Sequence, residues 1–137
     1  MAAGRAELLA SAAQSASGSG AWIPITTWTM LNVVAAISAA SGTITDFDLW
    51  LEGASDANGS NPHQIPCDIQ YKNGAAAGTE ATVNTNKIHI INSKADTTAP
   101  EVYTAQYKHL PCNYVRARWY MAGTTPSVTF SVMALGK

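Results

Sequence analysis

A regular alternation of apolar and polar residues near the carboxyl end constrains the fold more than any other feature of this sequence. In residues 114 to 121 every second residue is apolar, and the residues between them are arginine or tyrosine. The same period of two returns in residues 128 to 134. This period is typical of half-buried strands in an antiparallel sheet. Because residues 122 to 126 read as a break, we predict a β-hairpin over residues 113 to 137.

The chain before this segment continues as short strands and turns. Residues 46 to 52 alternate, with Phe47, Leu49 and Leu51 predicted to face inward, and Ser41-Gly42-Thr43 reads as a turn before them. Further strands are predicted over residues 22 to 28, 30 to 38, 65 to 71, 82 to 92 and 102 to 107, with loops at 53 to 62, 73 to 78 and 93 to 100. About eight strands without a helical pattern predict an all-β fold, a jelly-roll-like antiparallel β-sandwich, with a small barrel as the alternative.

Residues 1 to 20 differ in composition from the rest of the chain. Ala, Ser and Gly dominate, and residues 15 to 20 have the composition of a flexible linker. A short helix over residues 5 to 14 is one alternative, but Leu8 and Leu9 are its only large apolar residues, too few for it to fold alone. We therefore predict a flexible N-terminal arm at 1–20, disordered or ordered by a partner, and a β-sandwich domain at 21–137.

The low charge limits the classes of partner. Charged residues make up 12% of the chain, about half the usual level for a soluble protein, and the formal net charge is −1. Nucleic-acid binding needs a basic field, so no direct nucleic-acid contact is expected. No apolar run approaches the ~20 residues of a membrane helix, and Glu7 interrupts what a signal peptide would keep apolar. We expect no membrane partner and a cytoplasmic site of synthesis and assembly.

The two cysteines leave two alternatives open. Cys67 and Cys112 each follow a proline, so each is placed to open a strand. A disulfide requires their Cα atoms to lie within ~7 Å, whereas a reducing compartment favours two buried thiols. Neither has a histidine at zinc-ligand spacing.

The polar motifs give little support for catalysis or metal binding. Residues 56 to 61 place oxygen ligands on alternate positions as a calcium loop does, but they carry one carboxylate and are explained equally well by a tight turn. His63, His89 and His109 are scattered. There is no nucleophile, phosphate-loop or paired-carboxylate motif. We predict that the protein is not an enzyme and has no catalytic, cofactor-binding or metal-binding residues.

Aromatic and charged residues on the strands indicate where a partner would bind. Trp119 is in phase with apolar residues of its strand and is predicted to lie in the core. Trp50 falls on the polar face of its strand, where we predict that it either stacks on Tyr114 or Tyr120 or contacts a partner. That face is acidic, and the polar face of residues 114 to 120 carries two arginines, so the two are either neighbours in one sheet or complementary patches on two subunits. The predicted interface residues are Leu8, Leu9, Trp50, Arg116 and Arg118.

Three stretches together resemble a protein family. They are residues 41 to 51 with Ser55-Asp56 shortly after, the segment Tyr114-Val115-Arg116 that leads into Trp119, and residues 123 to 132. Their order resembles small virion proteins of tailed bacteriophages, in particular the capsid cement or decoration proteins. The size and arm also resemble the jelly-roll cement proteins of short-tailed phages. The resemblance covers the carboxy-terminal two-thirds in pieces, and it implies a dimer or trimer that clamps capsid subunits after the head expands.

The function expected from the sequence is therefore structural. A homo-oligomer, with a homodimer favoured over a trimer, would bind the major capsid protein on the capsid exterior and stabilise the head of the virion. Two alternatives remain at this stage. One is a carbohydrate- or receptor-binding module of a phage tail, which exposed aromatics would favour. The other is a head-completion or tail-tube component, which would form rings.

Overall fold

The computed structural model describes residues 4–73 and 88–137, and it is all-β, as predicted. The described part contains nine strands and no helix. In chain order the strands are β1 (Gly4–Gln14), β2 (Gly18–Ser19), β3 (Ile23–Pro24), β4 (Leu31–Ala54), β5 (His63–Gln64), β6 (Ile69–Asn73), β7 (His89–Ile91), β8 (Glu101–Tyr107) and β9 (Tyr114–Gly136).

These strands form one open antiparallel sheet with a sandwich-like arrangement. Its main order is β1-β9-β4-β8-β6, while β2 and β3 also pair with β9, and β5 and β7 pair with β4. All of these pairings are antiparallel. Two long strands, β4 and β9, therefore form the centre of the sheet. Every other described strand pairs with one of them, except β6, which pairs with β8.

The pairing of β4 with β9 overturns the predicted C-terminal hairpin. β9 runs unbroken through residues 122 to 126, and it pairs with β4 on both sides of that segment. The predicted turn at residues 41 to 43 is also wrong. These residues lie within β4, directly opposite residues 124 to 127 of β9: Ser41 pairs with Ser127 and Thr43 with Thr124. Register shifts at this point show that the two turn-like segments form facing β-bulges, which bend strands without reversing them.

The bend is sharp enough to bring the two halves of β9 into contact. The rings of Trp119 and Phe130 lie 5.3 Å apart between centroids in an edge-on arrangement, although an extended strand would separate them by about 36 Å. Phe130 also packs edge-on against Phe47, with 5.2 Å between ring centroids. Phe47 lies in the half of β4 beyond the bend, whereas Phe130 pairs with Ile37 in the half before it. The sheet thus folds over on itself and packs its own apolar face against itself.

The alternating residues fill the space inside this fold. As predicted, Phe47, Leu49 and Leu51 are buried, and so is Trp119. The same inward face includes alternate residues of β8 and of both halves of β4 and β9, which form one continuous cluster: Leu31, Val33, Ala35, Ile37, Tyr103, Ala105, Tyr107, Val115, Ala117, Met121, Val128, Phe130, Val132 and Ala134. Burial of this apolar face is the main source of stability for such a sheet.

The N-terminal segment follows the outer edge of β9. Residues 5 to 14 form a strand within β1 and no helix, because β9 supplies the backbone partners that an isolated helix of this length lacks. Leu8 is 2% exposed and joins the core, and Leu9 packs against it. Beyond the bend, β2 and β3 pair with the other half of β9. The division of the chain into an arm at 1–20 and a domain at 21–137 stays a prediction.

Several other strand boundaries differ from those predicted. The strand at residues 22 to 28 is reduced to β3, and Trp28 then folds back over Gly4 and Gly136. The strand expected from residue 65 begins at Ile69. Of the strand at residues 82 to 92 only β7 is described, and the loop at 73 to 78 lies almost wholly outside the described residues. Cys67 is buried, Cys112 is half-buried, and both are free thiols.

None of the described residues belongs to a helix long and apolar enough to span a membrane.

We predict that Gly42→Ala destabilises the fold by at least about 2 kcal/mol, since a side chain costs about 1–2 kcal/mol in left-handed backbone before any clash. Gly42 has φ +77°, and a Cβ atom there would meet the carbonyl oxygen of Thr125 on the facing bulge. Urea unfolding followed by tryptophan fluorescence measures the change. Thr43→Ala, an exposed neighbour in the same bulge, is the matched control with a change within about 0.5 kcal/mol. Equal stability of the Gly42 variant and the control would contradict the paired bend.

Candidate binding groove

The polar faces of β4 and β9 meet in one sheet beyond the bend. Glu52 pairs with Arg116, and Trp50 pairs with Arg118. The sequence left two arrangements open: neighbouring faces in one sheet, or complementary patches on two subunits. The structure has the first, because the acidic and basic faces are neighbours within one chain. Three of the five predicted interface residues, Trp50, Arg116 and Arg118, come together here.

Glu52 is shared by the two arginines. Its Oε1 accepts from Nε of Arg116 at 2.8 Å and lies 2.6 Å from Nη2, while Oε2 lies 3.2 Å from Nη1 of Arg118. The guanidinium of Arg116 also lies over the ring of Trp22, 4.3 Å from its centroid. Arg116 is thus held on two sides, and cation–π contact adds to the charge-assisted bonds. The Arg118 side chain is 47% exposed, so part of its donor set faces solvent.

A groove of about 570 Å³ opens over this charged pair. It is lined by Ser17, Gly18, Ser19, Trp50, Glu52, Gln64, Arg116, Arg118, Trp119 and Tyr120. The N-terminal segment forms one wall and is fixed there by two bonds: Nε1 of Trp119 donates to the carbonyl oxygen of Ala16 at 2.9 Å, and the Met121 amide donates to Oγ of Ser17 at 2.9 Å. Tyr120 is 46% exposed. The groove therefore offers a tyrosine ring and an arginine to a partner.

Trp50 is held by a histidine on a neighbouring strand. Its ring stacks on His89 of β7 at 5.3 Å between centroids and 30° between planes. The predicted stacking on Tyr114 or Tyr120 is wrong, because β7 pairs with β4 and brings His89 alongside. Nε1 of Trp50 is buried and has no hydrogen-bond partner among the described residues. Only part of the Trp50 ring is left for contact with a partner.

The acidic half of the β4 face is covered by the loop after β7. Oδ1 of Asp48 accepts from the Ser93 amide at 2.7 Å and lies 3.6 Å from Nδ1 of His89. Burial and the neighbouring Asp48 carboxylate raise the pKa of Asp46. Asp48 therefore serves the packing of the loop, and neither carboxylate lines the groove.

Leu8 and Leu9 do not belong to the groove. Leu8 lies in the core on β1, and Leu9 packs against that core, so both stabilise this chain's own fold. Their predicted role in a partner interface stays a prediction. Sequence reasoning missed two contributors to the groove: Gln64 and the wall at residues 17 to 19. Nothing in the local pattern marks them, because each reaches the groove through pairing with distant strands.

A second charged cluster lies buried beside β8. Glu101 binds Lys94 at 2.6 Å and Lys72 at 2.8 Å, and the Tyr103 hydroxyl donates to it at 3.0 Å. Lys94 also pairs with Asp96 and donates to the Thr98 carbonyl oxygen. Burial raises the pKa of Glu101, but the bonds from Lys72, Lys94 and Tyr103 outweigh it and the net pKa is lowered. The cluster ties the loop after β7 to β6 and β8, which is a structural role.

The loop at residues 56 to 61 is a closed turn. Oδ1 of Asp56 accepts from the amides of Asn58 and Ser60 at 2.9 and 3.2 Å. Hydrogen bonds from the Ser60 side chain, the Ser60 amide and the Asn58 amide lower the pKa of Asp56. Gly59 and Asn61 adopt positive φ, as tight turns require. Among the described residues no group of three His, Cys, Asp or Glu side chains is placed to hold a metal ion.

Comparison with known proteins adds information on the fold alone. No protein-family model matches the chain, and no curated protein matches its sequence. A solved structure with a similar fold is the crystal structure of the SPBc2 prophage-derived protein YomS. It matches with a TM-score of 0.50 over 98% of this chain and 94% of that chain, at 12% sequence identity. At this identity the likeness shows a shared fold over nearly the whole of both chains.

We predict different stability effects for the two arginines of the groove. Arg116→Ala should lower the free energy of unfolding by about 1–3 kcal/mol, because it removes charge-assisted bonds to buried Glu52. Arg118→Ala should change it by at most about 0.5 kcal/mol, as is usual for an exposed pair. Urea unfolding of both variants measures this. Equal losses would show that Arg118 is structural and not available to a partner.

We predict that Glu101→Gln lowers the free energy of unfolding by about 3–5 kcal/mol at neutral pH, because it removes the carboxylate charge that neutralises the buried ammonium group of Lys94. The pKa of Glu101 is lowered from its ordinary value of 4.5, so its contribution is present above that pH and is lost as the pH falls below it. The difference between variant and wild type should therefore shrink in acid. Asp96→Asn, at a 57% exposed side chain, is the control with a change below about 1 kcal/mol. A difference that does not change with pH would refute the ionic role.

Proposed function

We propose that this chain is a structural virion protein of a tailed bacteriophage that binds the outside of the capsid, between subunits of the major capsid protein, and stabilises the head. The observation that carries the proposal is the groove beyond the bend. It presents partly exposed Trp50, Tyr120 and Arg118 together, and tryptophan, tyrosine and arginine are the residue types enriched at the energetic centres of protein interfaces.

The position of the charges fits a protein partner. Arg116 is already neutralised by Glu52 and stacked on Trp22, so it organises the groove. Arg118 keeps exposed donors that can bind a carboxylate of a partner in a planar, bidentate manner. A groove with one available arginine between aromatic rings suits an acidic side chain on a protein surface better than a polyanion.

The fold and the composition support the same proposal. The chain shares its fold with a prophage-derived protein, and three of its sequence stretches resemble capsid cement proteins. A surface with few charges suits burial against neighbouring subunits. In this proposal the protein has no catalytic role and no cofactor, and it acts mechanically by burying surface across a subunit boundary. Its location is the capsid exterior after assembly in the host cytoplasm.

The groove also supports one alternative function. Aromatic rings beside arginine, glutamate and glutamine side chains provide stacking surfaces and hydrogen-bonding groups for a sugar. A carbohydrate- or receptor-binding module of a phage tail would use the same residues. The two functions differ in where the protein sits on the particle and in whether it binds isolated glycans.

The test is decoration of expanded heads of the phage that encodes the chain, followed by electron cryomicroscopy. We expect added density on the outer surface between capsid subunits, and Arg118→Glu should weaken binding at least about tenfold, equivalent to 1.4 kcal/mol. Lys108→Glu is the control, because it reverses an exposed charge outside the groove. Density on the tail together with binding to a glycan array would establish the alternative, and absence from the head would refute the capsid proposal.

A further inference from the structure

We propose that Asn58 is a site of spontaneous covalent modification, at which the side-chain carboxamide is lost as ammonia and part of the product carries an isoaspartate linkage to Gly59. The two residues lie in the closed turn at residues 56 to 61, and neither lines the groove. This inference does not rest on the capsid proposal, because it concerns the chemistry of the purified chain alone.

The turn places a suitable nucleophile next to a free carboxamide. The backbone nitrogen that follows an asparagine can attack the side-chain Cγ, and glycine has no side chain to obstruct this approach. Asn58 is exposed and is followed by Gly59. No described residue forms a hydrogen bond with the carboxamide of Asn58, although its backbone amide is bound to Asp56. The side chain can therefore turn towards the nitrogen of Gly59.

The reaction needs water and a base and no other reactant. The base removes the proton from the backbone nitrogen of Gly59, and that nitrogen forms a bond to Cγ of Asn58. The bond from Cγ to Nδ2 breaks, and ammonia leaves. Water then opens the resulting cyclic imide: attack at Cγ gives aspartate, whereas attack at the main-chain carbonyl carbon gives isoaspartate, in which the chain continues through Cγ.

One hydrogen bond opposes the reaction, and it is easily opened. The Gly59 amide donates to the carbonyl oxygen of Asp56 at 3.1 Å, which is near the long limit for such bonds. Asp56, Asn58 and Ser60 are all exposed. Water can therefore replace this bond during a local opening that leaves the sheet intact.

Two other exposed asparagines of the same region lack these conditions. Asn61 precedes Pro62, which has no N–H, and Nδ2 of Asn61 donates to Oγ of Ser55 at 3.2 Å. Nδ2 of Asn113 donates to the Ser55 carbonyl oxygen at 3.1 Å, and the next residue has a bulky side chain and begins β9. The structure thus distinguishes Asn58 from asparagines of equal exposure close by.

The modification would reach the groove through Trp22. Gly59 adopts φ +77° and lies against the indole, because a Cβ atom on it would lie only 2.7 Å from Nε1 of Trp22. The same indole supports the guanidinium of Arg116 at 4.3 Å from its centroid. An isoaspartate adds a methylene to the main chain where the turn has no spare room. Gly59 must then move against Trp22, which loosens the support of Arg116.

The experiment is incubation of the full chain in mildly alkaline and in mildly acidic buffer, followed by tryptic digestion and tandem mass spectrometry. Cleavage after Lys72 and Lys108 places Asn58 and Asn113 in different peptides. We expect aspartate and isoaspartate at residue 58 to accumulate faster in alkaline buffer, because the base step is rate-determining, while Asn113 stays intact as the matched internal control. Asn58→Gln should abolish the reaction at this residue, since its longer side chain would have to form a larger ring.

Hydrogen–deuterium exchange of the purified isoaspartate form tests the effect on Trp22. We expect the amides of the turn and of Trp22 to exchange at least about tenfold faster than in the unmodified protein, equivalent to 1.4 kcal/mol of local stability. Asn58→Asp is the control, because it adds the same charge without lengthening the chain, and it should exchange as the wild type does.

Three results would overturn the proposal. They are an Asn58 that stays intact in alkaline buffer or changes no faster than Asn113, a product that contains aspartate without isoaspartate, and an isoaspartate form that exchanges as slowly as Asn58→Asp. The first two exclude the cyclic imide, and the third excludes the connection from the turn to the groove.

Discussion

The continuous pairing of β4 with β9 is the constraint on which the rest of this structure depends. Twenty-one residue pairs join the two strands, and they stay in register on both sides of the bend because both strands bulge at the same place. Gly42 and Gly123 make this possible: a Cβ atom on either would overlap a carbonyl oxygen of the facing strand. The sheet can therefore fold over its own apolar face without losing its central hydrogen bonds, which water would otherwise have to replace.

The bend divides the molecule into two surfaces with different chemistry. Beyond it, the polar faces of β4 and β9 form the groove around Glu52, Arg116 and Arg118. Before it, the outward residues of β4 and β8 are uncharged, and Leu135 of β9 lies exposed beside Arg5 of β1. Phe47, Trp119 and Phe130 lie between the two halves and fix their packing.

The sequence predicted the faces of the strands better than it predicted their partners. Period-two alternation identified the inward positions of residues 46 to 52 and of Trp119, because a side chain's face depends on local spacing alone. The turn signals at Gly42 and Gly123 were misread as reversals. A glycine-rich break has the same local chemistry in a hairpin and in a bulge, and only the distant partner strand decides between them. The groove shows the same limit, since Trp50 and the arginines were found from the pattern, whereas Gln64 and the wall at residues 17 to 19 reach the groove through long-range pairing.

The most direct test of this account is the set of cross-strand contacts between α-protons in the nuclear Overhauser spectrum of the isotopically labelled protein. Continuous pairing predicts antiparallel contacts between β4 and β9 in both halves, for example in the neighbourhood of Asn32 with Leu135 and of Asp48 with Tyr120. A C-terminal hairpin would instead give α-proton contacts within β9, between residues 114 to 121 and residues 128 to 134. Observation of the first set confirms the paired bend, and observation of the second would contradict it together with the groove built on it.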